Sequence, residues 1–250
     1  MNVEHILLSF LAGLGSGFVG AATGGAGLIS IPALIFLGLS PSSAIATNAF
    51  GSFGMVASAI PKYAKAKKLR WKPVLKLIPL TIAGAFLGAK ALVHLHVNDS
   101  LFSVVIGVVM LLLIPIILSN PNRGIKRFKP GDERVIIGSI AYFVIAVYGG
   151  FFGAGAGIFS TYSLTYFFGM TYVEAKGSNF IPSIFLFGTS LVIFLSHHLV
   201  NFKLGIPMII GMYIGGILGA NAALKNGNKW VRTIFILVIV LTGLKLILFP

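Results

Sequence analysis

The sequence predicts an all-α polytopic membrane protein made of two inverted-topology repeats, with short broken or re-entrant helices and about 8–10 membrane segments. Three observations predict it. Of the 250 residues, 57% are hydrophobic and only 10% charged, against about 25% charged in soluble globular domains. Apolar runs close to the roughly 20 residues that cross a bilayer recur along the chain. Leu101 to Leu118, Val135 to Val147, Ile181 to Leu195 and Val231 to Phe249 are examples. Finally, the chain matches itself when slid by 131 residues.

That offset lays WKPVLKLIPLTIAGAFLGAKA, from Trp71, on FKLGIPMIIGMYIGGILGANA, from Phe202, with seven of 21 positions identical. It also lays GLSPSSAIATN, Gly38 to Asn48, on GMTYVEAKGSN, Gly169 to Asn179. Asn48 then meets Asn179, Thr47 meets Ser178, and Ser52 meets Ser183. An offset of 130 aligns Gly25, Gly27 and Ser30 with Gly155, Gly157 and Ser160. Three blocks at nearly one offset make duplication the better account of matches that are individually weak.

Each half reads in the same order: a first apolar segment, a glycine break, a short segment, a helix with the Thr/Ser-Asn pair, a glycine-rich helix and a last apolar helix. In the second half these are roughly Val135 to Phe152, Ile158 to Phe168, Val173 to Ser196, Leu204 to Leu224 and Lys229 to Phe249. The expected organisation is a first repeat over 1–119, a basic cytoplasmic linker over 120–134 and a second repeat over 135–250. Either way of counting the short pieces leaves each repeat with an odd number of crossings, so the copies insert upside down relative to each other.

Charge supports that orientation. The formal net charge is +14, and seven of the 19 lysines and arginines lie between Lys62 and Lys76, with five more between Arg123 and Arg134. Short basic loops stay cytoplasmic, so loops 62–72, 120–134 and 225–232 are expected inside and both termini outside. The same charge implies contact with anionic membrane lipids rather than with nucleic acid. MNVEHILLSF lacks a basic n-region, so the first apolar segment is expected to be retained. The absence of cysteine removes thiolate chemistry and disulfides.

The two glycine breaks, around Gly24, Gly25 and Gly27 and around Gly153, Gly155 and Gly157, lack the strand, helix and ribose-binding acid of a dinucleotide site. Glycines in membrane helices also serve close packing, which suits Gly84, Gly88, Gly215 and Gly219. The breaks are too dense in glycine for good helix, and unwound backbone at membrane depth must be buried in protein or line a wet cavity. Short interrupted segments at matching places in two halves point to a transporter's midplane site, where half-helix N-termini suit an anion. Asn48 and Asn179 either cap helices or, with Ser52 and Ser183 four residues on, line one cavity with the breaks. Thr47 and Ser178 join them as candidate hydrogen-bonding groups.

Lys176 has no cationic counterpart in the first half, where Ile45 aligns with it. It is either an interfacial lysine paired with Glu174 or a cation at an anion's entrance. His94, His96, His197 and His198 are expected at loops and interfaces. The five acids, Glu4, Asp99, Asp132, Glu133 and Glu174, are expected at or beyond helix ends. They leave no intramembrane carboxylate pair, no metal cluster and no cation pathway lined by acids. An enzyme is therefore not expected, nor any cofactor.

The breaks GGAGLISIP and GAGAGIFS, with LGLSPSSAIATN, KLRWKP…GAFLGAKA, GMTYVEAKGSN, LVNFKLG and GGILGANA, resemble the TauE/SafE family over about residues 6 to 248. Ala26 replaces the family's usual third glycine in the first break, and the second break lacks the following proline. The resemblance implies a bacterial or archaeal cytoplasmic-membrane permease, often an exporter, for sulfite, sulfoacetate or other sulfur-containing organic anions. Alternating access of the two halves around a central site is the mechanism expected, with H+ or Na+ as possible coupling ion. The alternative is an uncoupled anion channel or a non-transporting scaffold.

Overall fold

The computed structural model of the chain describes residues 3–94 and 124–248. The apolar run from Leu101 to Leu118, with His96, Asp99 and residues 120–123 of the expected linker, lies outside the described residues. The described chain folds into α1 (Val3–Thr23), α2 (Gly27–Phe36), α3 (Pro41–Lys65), α4 (Trp71–Leu75) and α5 (Ile78–His94), followed by α6 (Asp132–Phe151), α7 (Ala156–Tyr166), α8 (Tyr172–Ser196) and α9 (Phe202–Leu248). The last is broken at Gly227, whose φ of 76° and ψ of −169° interrupt the helix. Among the described residues, five helices are long and apolar enough to cross a bilayer: α1, α3, α6, α8 and the Phe202–Leu237 stretch of α9. The chain is thus a multi-pass helical membrane protein.

α2 and α7 have 10 and 11 residues. At 1.5 Å per residue each is about 15 Å long, half the hydrocarbon thickness, so neither crosses alone. Their starts are the predicted breaks. Gly24 adopts φ 103°, and Gly153 and Gly155 adopt 74° and 75°, a region that disfavours any side chain with a Cβ.

α3 and α8 are the central pair, and their caps explain where they begin. Ser40 accepts a hydrogen bond from the Ser43 N–H at 3.3 Å, and Pro41 follows it at the first helical position. In α8 the cap is a reciprocal box: Thr171 accepts from the Glu174 N–H, and the Glu174 carboxylate accepts from the Thr171 N–H. Asn48 and Asn179 therefore cap nothing; each sits two turns inside its helix.

The 131-residue offset recurs in the backbone. α3 ends with Lys67 in the left-handed region at φ 55° and a Lys68 N–H to Tyr63 C=O bond of 2.9 Å. α8 ends with His198 at φ 54° and a Leu199 N–H to Phe194 C=O bond of 3.0 Å. All three positions are displaced by 131. Two crossing hydrogen bonds repeat in the same way. The Asn201 N–H donates to Thr47 Oγ1 at 3.0 Å, and the Arg70 N–H donates to Ser178 Oγ at 2.8 Å. Thr47 and Ser178 thus each anchor the chain that enters the glycine-rich helix of the opposite half.

Helices of the two halves interleave. α1 packs on α9 in the largest helix–helix interface among the described residues, and α5 packs on α6. A Cβ at Gly215 or Gly219 would collide with the Leu14 or Phe18 carbonyl, and one at Gly84 or Gly88 would press on the Phe143 or Val147 carbonyl. These glycines serve close helix packing, as their four-residue spacing predicts.

The segment after residue 123 is stapled to the start of α8. The Tyr172 N–H donates to the Gly124 carbonyl at 2.8 Å, and the Phe128 N–H donates to the Gly169 carbonyl at 3.2 Å. Asn228 bridges the same region, accepting from the Val173 N–H and donating to the Ile125 carbonyl.

Candidate functional site

The two glycine breaks meet. A Cβ on Gly24 would run into the Gly157 carbonyl group, and one on Gly27 would stand 3.0 Å from Ala154 Cα. Gly24 and Gly157 touch backbone to backbone because neither carries a side chain, a contact that two alanines would abolish. No side chain caps α2 or α7; backbone carbonyls of the breaks accept from the Leu28, Ile29, Ala156 and Ile158 N–H groups, and the positive ends of both helix dipoles lie at this junction.

Beside the junction lies a small cavity of about 30 Å³, room for one or two waters. Gly24, Gly27, Gly153 and Gly157 form one part of its wall, and Asn48, Ser52, Ser183 and Lys176 another. Gly25, Gly155, Asn179, Thr47 and Ser178 do not line it. The first three stand one residue or one hydrogen bond behind the lining. The last two are the anchors described above.

Residues that the sequence pattern did not single out complete the wall: Ala26, Met55, Tyr142, Ala156, Ser160, Leu186 and Phe187. Ser160 was recoverable, because it aligns with Ser30 and lies one turn after Gly157 and Ala156. Tyr142 carries no such signal. It reaches 37 positions along the chain to donate to Asn179 Oδ1 at 2.5 Å. In the first half the matching carbonyl oxygen, Asn48 Oδ1, accepts instead from Ser30 at 2.5 Å. Both carboxamide oxygens thus face a hydroxyl donor, the Ser30 proton being shared with the Ala26 carbonyl at 3.0 Å, and the NH₂ groups are the donors that remain. Asn179 Nδ2 is buried without a hydrogen-bond partner among the described residues, and a Cβ on Gly153 would stand 3.7 Å from Asn48 Nδ2.

The hydroxyls are less available. Ser52 donates to the Asn48 carbonyl at 2.8 Å, Ser183 to the Asn179 carbonyl at 2.7 Å and Ser160 to the Ala156 carbonyl at 2.8 Å. Each proton is spent on the turn below, so these serines must rotate before they can donate to an anion.

Lys176 corrects one of the two alternatives drawn from sequence. It is only 2% exposed, and its Nζ lies 4.1 Å from the centroid of the Phe180 ring. It neither lies at the interface nor pairs with Glu174. That carboxylate belongs to Arg127, whose guanidinium grips both oxygens, and to the Thr171 cap. The lysine therefore brings its amino group to the cavity wall with no carboxylate beside it among the described residues. His94 and His197 face each other edge-on, 6.2 Å between ring centroids, both exposed and away from the cavity.

No group of three or more potential metal ligands occurs among the described residues. What the cavity wall offers is the Lys176 amine, one amide donor from Asn48 and two helix starts, groups suited to a small anion.

Known proteins place the chain. The model of the family described as sulfite exporter TauE/SafE matches residues 9–246. A probable membrane transporter protein of Haemophilus influenzae is 24% identical, covering 95% of this chain and 92% of its own length. The probable membrane transporter protein YfcA of Escherichia coli K12 is 25% identical over 98% of this chain and 91% of its own. A third, YunE of Bacillus subtilis, is 27% identical over 94% of each. No solved structure matches. With a match that spans nearly all of the sequence and a helical membrane fold to accompany it, the chain belongs to the sulfite exporter TauE/SafE family.

Proposed function

We propose that this protein is a secondary permease for a small sulfur-containing anion, sulfite or an organic anion such as sulfoacetate, and that the cavity at the meeting of the two breaks is its binding site. One observation carries the proposal: Lys176, buried and without a counter-ion in the cavity wall. An ammonium removed from water is costly unless something negative accompanies it. A bound anion is that counter-ion, with Asn48 Nδ2 and the starts of α2 and α7 completing its donors. The sulfur chemistry comes from the family, and the preference for an anion comes from the cavity.

Alternating access is the mechanism we propose. The cavity is too small for sulfite unless its walls part, which favours a carrier over an open channel. Reciprocal anchoring by Thr47 and Ser178 and the crossed packing of α1 on α9 and α5 on α6 support two halves inverted in the membrane. Rocking of one half against the other would open the cavity to each side in turn. The basic character of residues 62–72 and 225–232 supports a cytoplasmic side for both.

Counterflow in proteoliposomes tests the function. Vesicles preloaded with unlabelled sulfite should accumulate external labelled sulfite transiently, and Asn48→Ala combined with Asn179→Ala should abolish this with folded yield intact. Absence of counterflow for every sulfur anion tried, or full transport by the double variant, would overturn the proposal.

A further inference from the structure

A second, larger cleft lies away from the cavity, between α4, the segment 127–130, α6 and the end of α7. Its volume is about 590 Å³. Arg70, Lys72, Lys76 and Lys129 line it, together with Arg127, which is bound to Glu174. No acidic residue lines it. A solvated anion site would need nothing more, yet apart from Ser139 the rest of the wall is apolar: Pro73, Leu77, Phe128, Pro130, Val135 and Phe168. The cleft combines a cationic rim with a greasy interior.

Its level in the membrane follows from the neighbouring side chains. On α4, Trp71 and Leu75 are about half exposed at 50% and 49%, whereas Val74 is fully buried. A short helix that exposes Trp71 and Leu75 beside Lys72, with Lys76 just after it, suits the headgroup boundary. Directly beyond the cleft, α6 presents Ile136, Ile140 and Val144 outward, each largely exposed, as a helix facing acyl chains does. Ser139 lines the cleft on the same helix, its hydroxyl turned back to the Val135 carbonyl at 2.8 Å.

We propose that this cleft binds one acidic phospholipid, with its phosphate held by Arg70, Lys72, Lys76 and Lys129 and an acyl chain laid along Val135 and Ser139. Basic pockets between membrane helices recognise anionic headgroups, and the apolar wall selects a lipid over a free oxyanion. The bound lipid would join α4 to the 127–130 segment, which is itself fastened to the start of α8. The site is separate from the anion cavity, sharing none of its lining.

The test uses the full-length protein in nanodiscs of equal phosphatidylglycerol and phosphatidylcholine, with retained lipid read by native mass spectrometry. The wild type should keep one phosphatidylglycerol preferentially. Each cation removed should weaken retention about fivefold, so Lys72→Gln, Lys76→Gln and Lys129→Gln together should cost roughly a hundredfold. Ser139→Phe, which fills the apolar part and leaves every charge in place, should also displace the lipid, whereas Lys203→Gln should not. Thermal melting of each variant confirms that it is folded. Unchanged phosphatidylglycerol preference in the triple variant would overturn the proposal. So would displacement of the lipid by millimolar inorganic phosphate with Ser139→Phe without effect, because the cleft would then be a simple anion site.

Discussion

Lys176→Met is the most informative single substitution. Methionine has nearly the length of the lysine stem and no charge, so the packing against Phe180 survives while the ammonium is lost. A buried ammonium without a partner costs several kcal/mol, of which a desolvated cation–π contact returns about 2 kcal/mol. The substrate-free variant should therefore be more stable than the wild type, by about 2 kcal/mol. For a chain of this size that is about 4–8 °C in Tm. Sulfite or sulfoacetate at a hundred times its Kd should stabilise the wild type by about 2.7 kcal/mol and the variant not at all. The assay is thermal unfolding of purified protein with and without each anion, beside counterflow. A variant that melts below the wild type, or that keeps the full anion-dependent shift, would refute the claim that Lys176 holds an uncompensated charge for a substrate.

Further outcomes are expected elsewhere. Gly157→Ala should force the junction with Gly24 apart and cost about 1–3 kcal/mol, whereas Gly188→Ala, with nothing within 4 Å of the added carbon, should be neutral or stabilising by up to about 1 kcal/mol; comparative melting of the two checks this. Tyr142→Phe leaves Asn179 Oδ1 without its donor in a buried site and should cost about 1–3 kcal/mol, read by the same melts. Glu174→Ala keeps the Thr171 cap on the residue 174 N–H but removes the carboxylate half of the box and the Arg127 partner; it should destabilise by about 1–3 kcal/mol, and Glu174→Gln by less than Glu174→Ala, read by the same melts. The chain lacks cysteine, so Lys65→Cys and Val200→Cys can be labelled singly with an impermeant thiol reagent. Opposite sides are expected, and labelling on one side would contradict the inverted arrangement.

Much of this architecture is legible in the residues because the chain states it twice. The match of Gly38–Asn48 with Gly169–Asn179 is weak as sequence, yet it falls on the same helix starts, the same left-handed terminal residues and the same crossing hydrogen bonds. Dense glycine where a helix should continue marks the breaks, since no other residue lets Gly24 and Gly157 touch. The sequence is silent where position depends on a distant partner. Thr47 and Ser178 stand next to Asn48 and Asn179 in the chain, but on a helix adjacent residues point about 100° apart, and these two face the opposite half. Glu174 is two residues from Lys176 for the same geometric reason without touching it. Its partner, Arg127, is 47 residues upstream, which local charge patterning does not reveal. Tyr142 is one apolar-patterned residue among many in α6, and only packing brings it to Asn179.

The central claim is that a negative solute is gripped where the two breaks meet, and a structure of the protein with sulfite or sulfoacetate bound tests it most directly. The account predicts one anion within hydrogen-bond distance of Lys176 Nζ and Asn48 Nδ2, at the starts of α2 and α7. An anion bound elsewhere, with Lys176 still resting on Phe180 and the cavity unchanged, would contradict it.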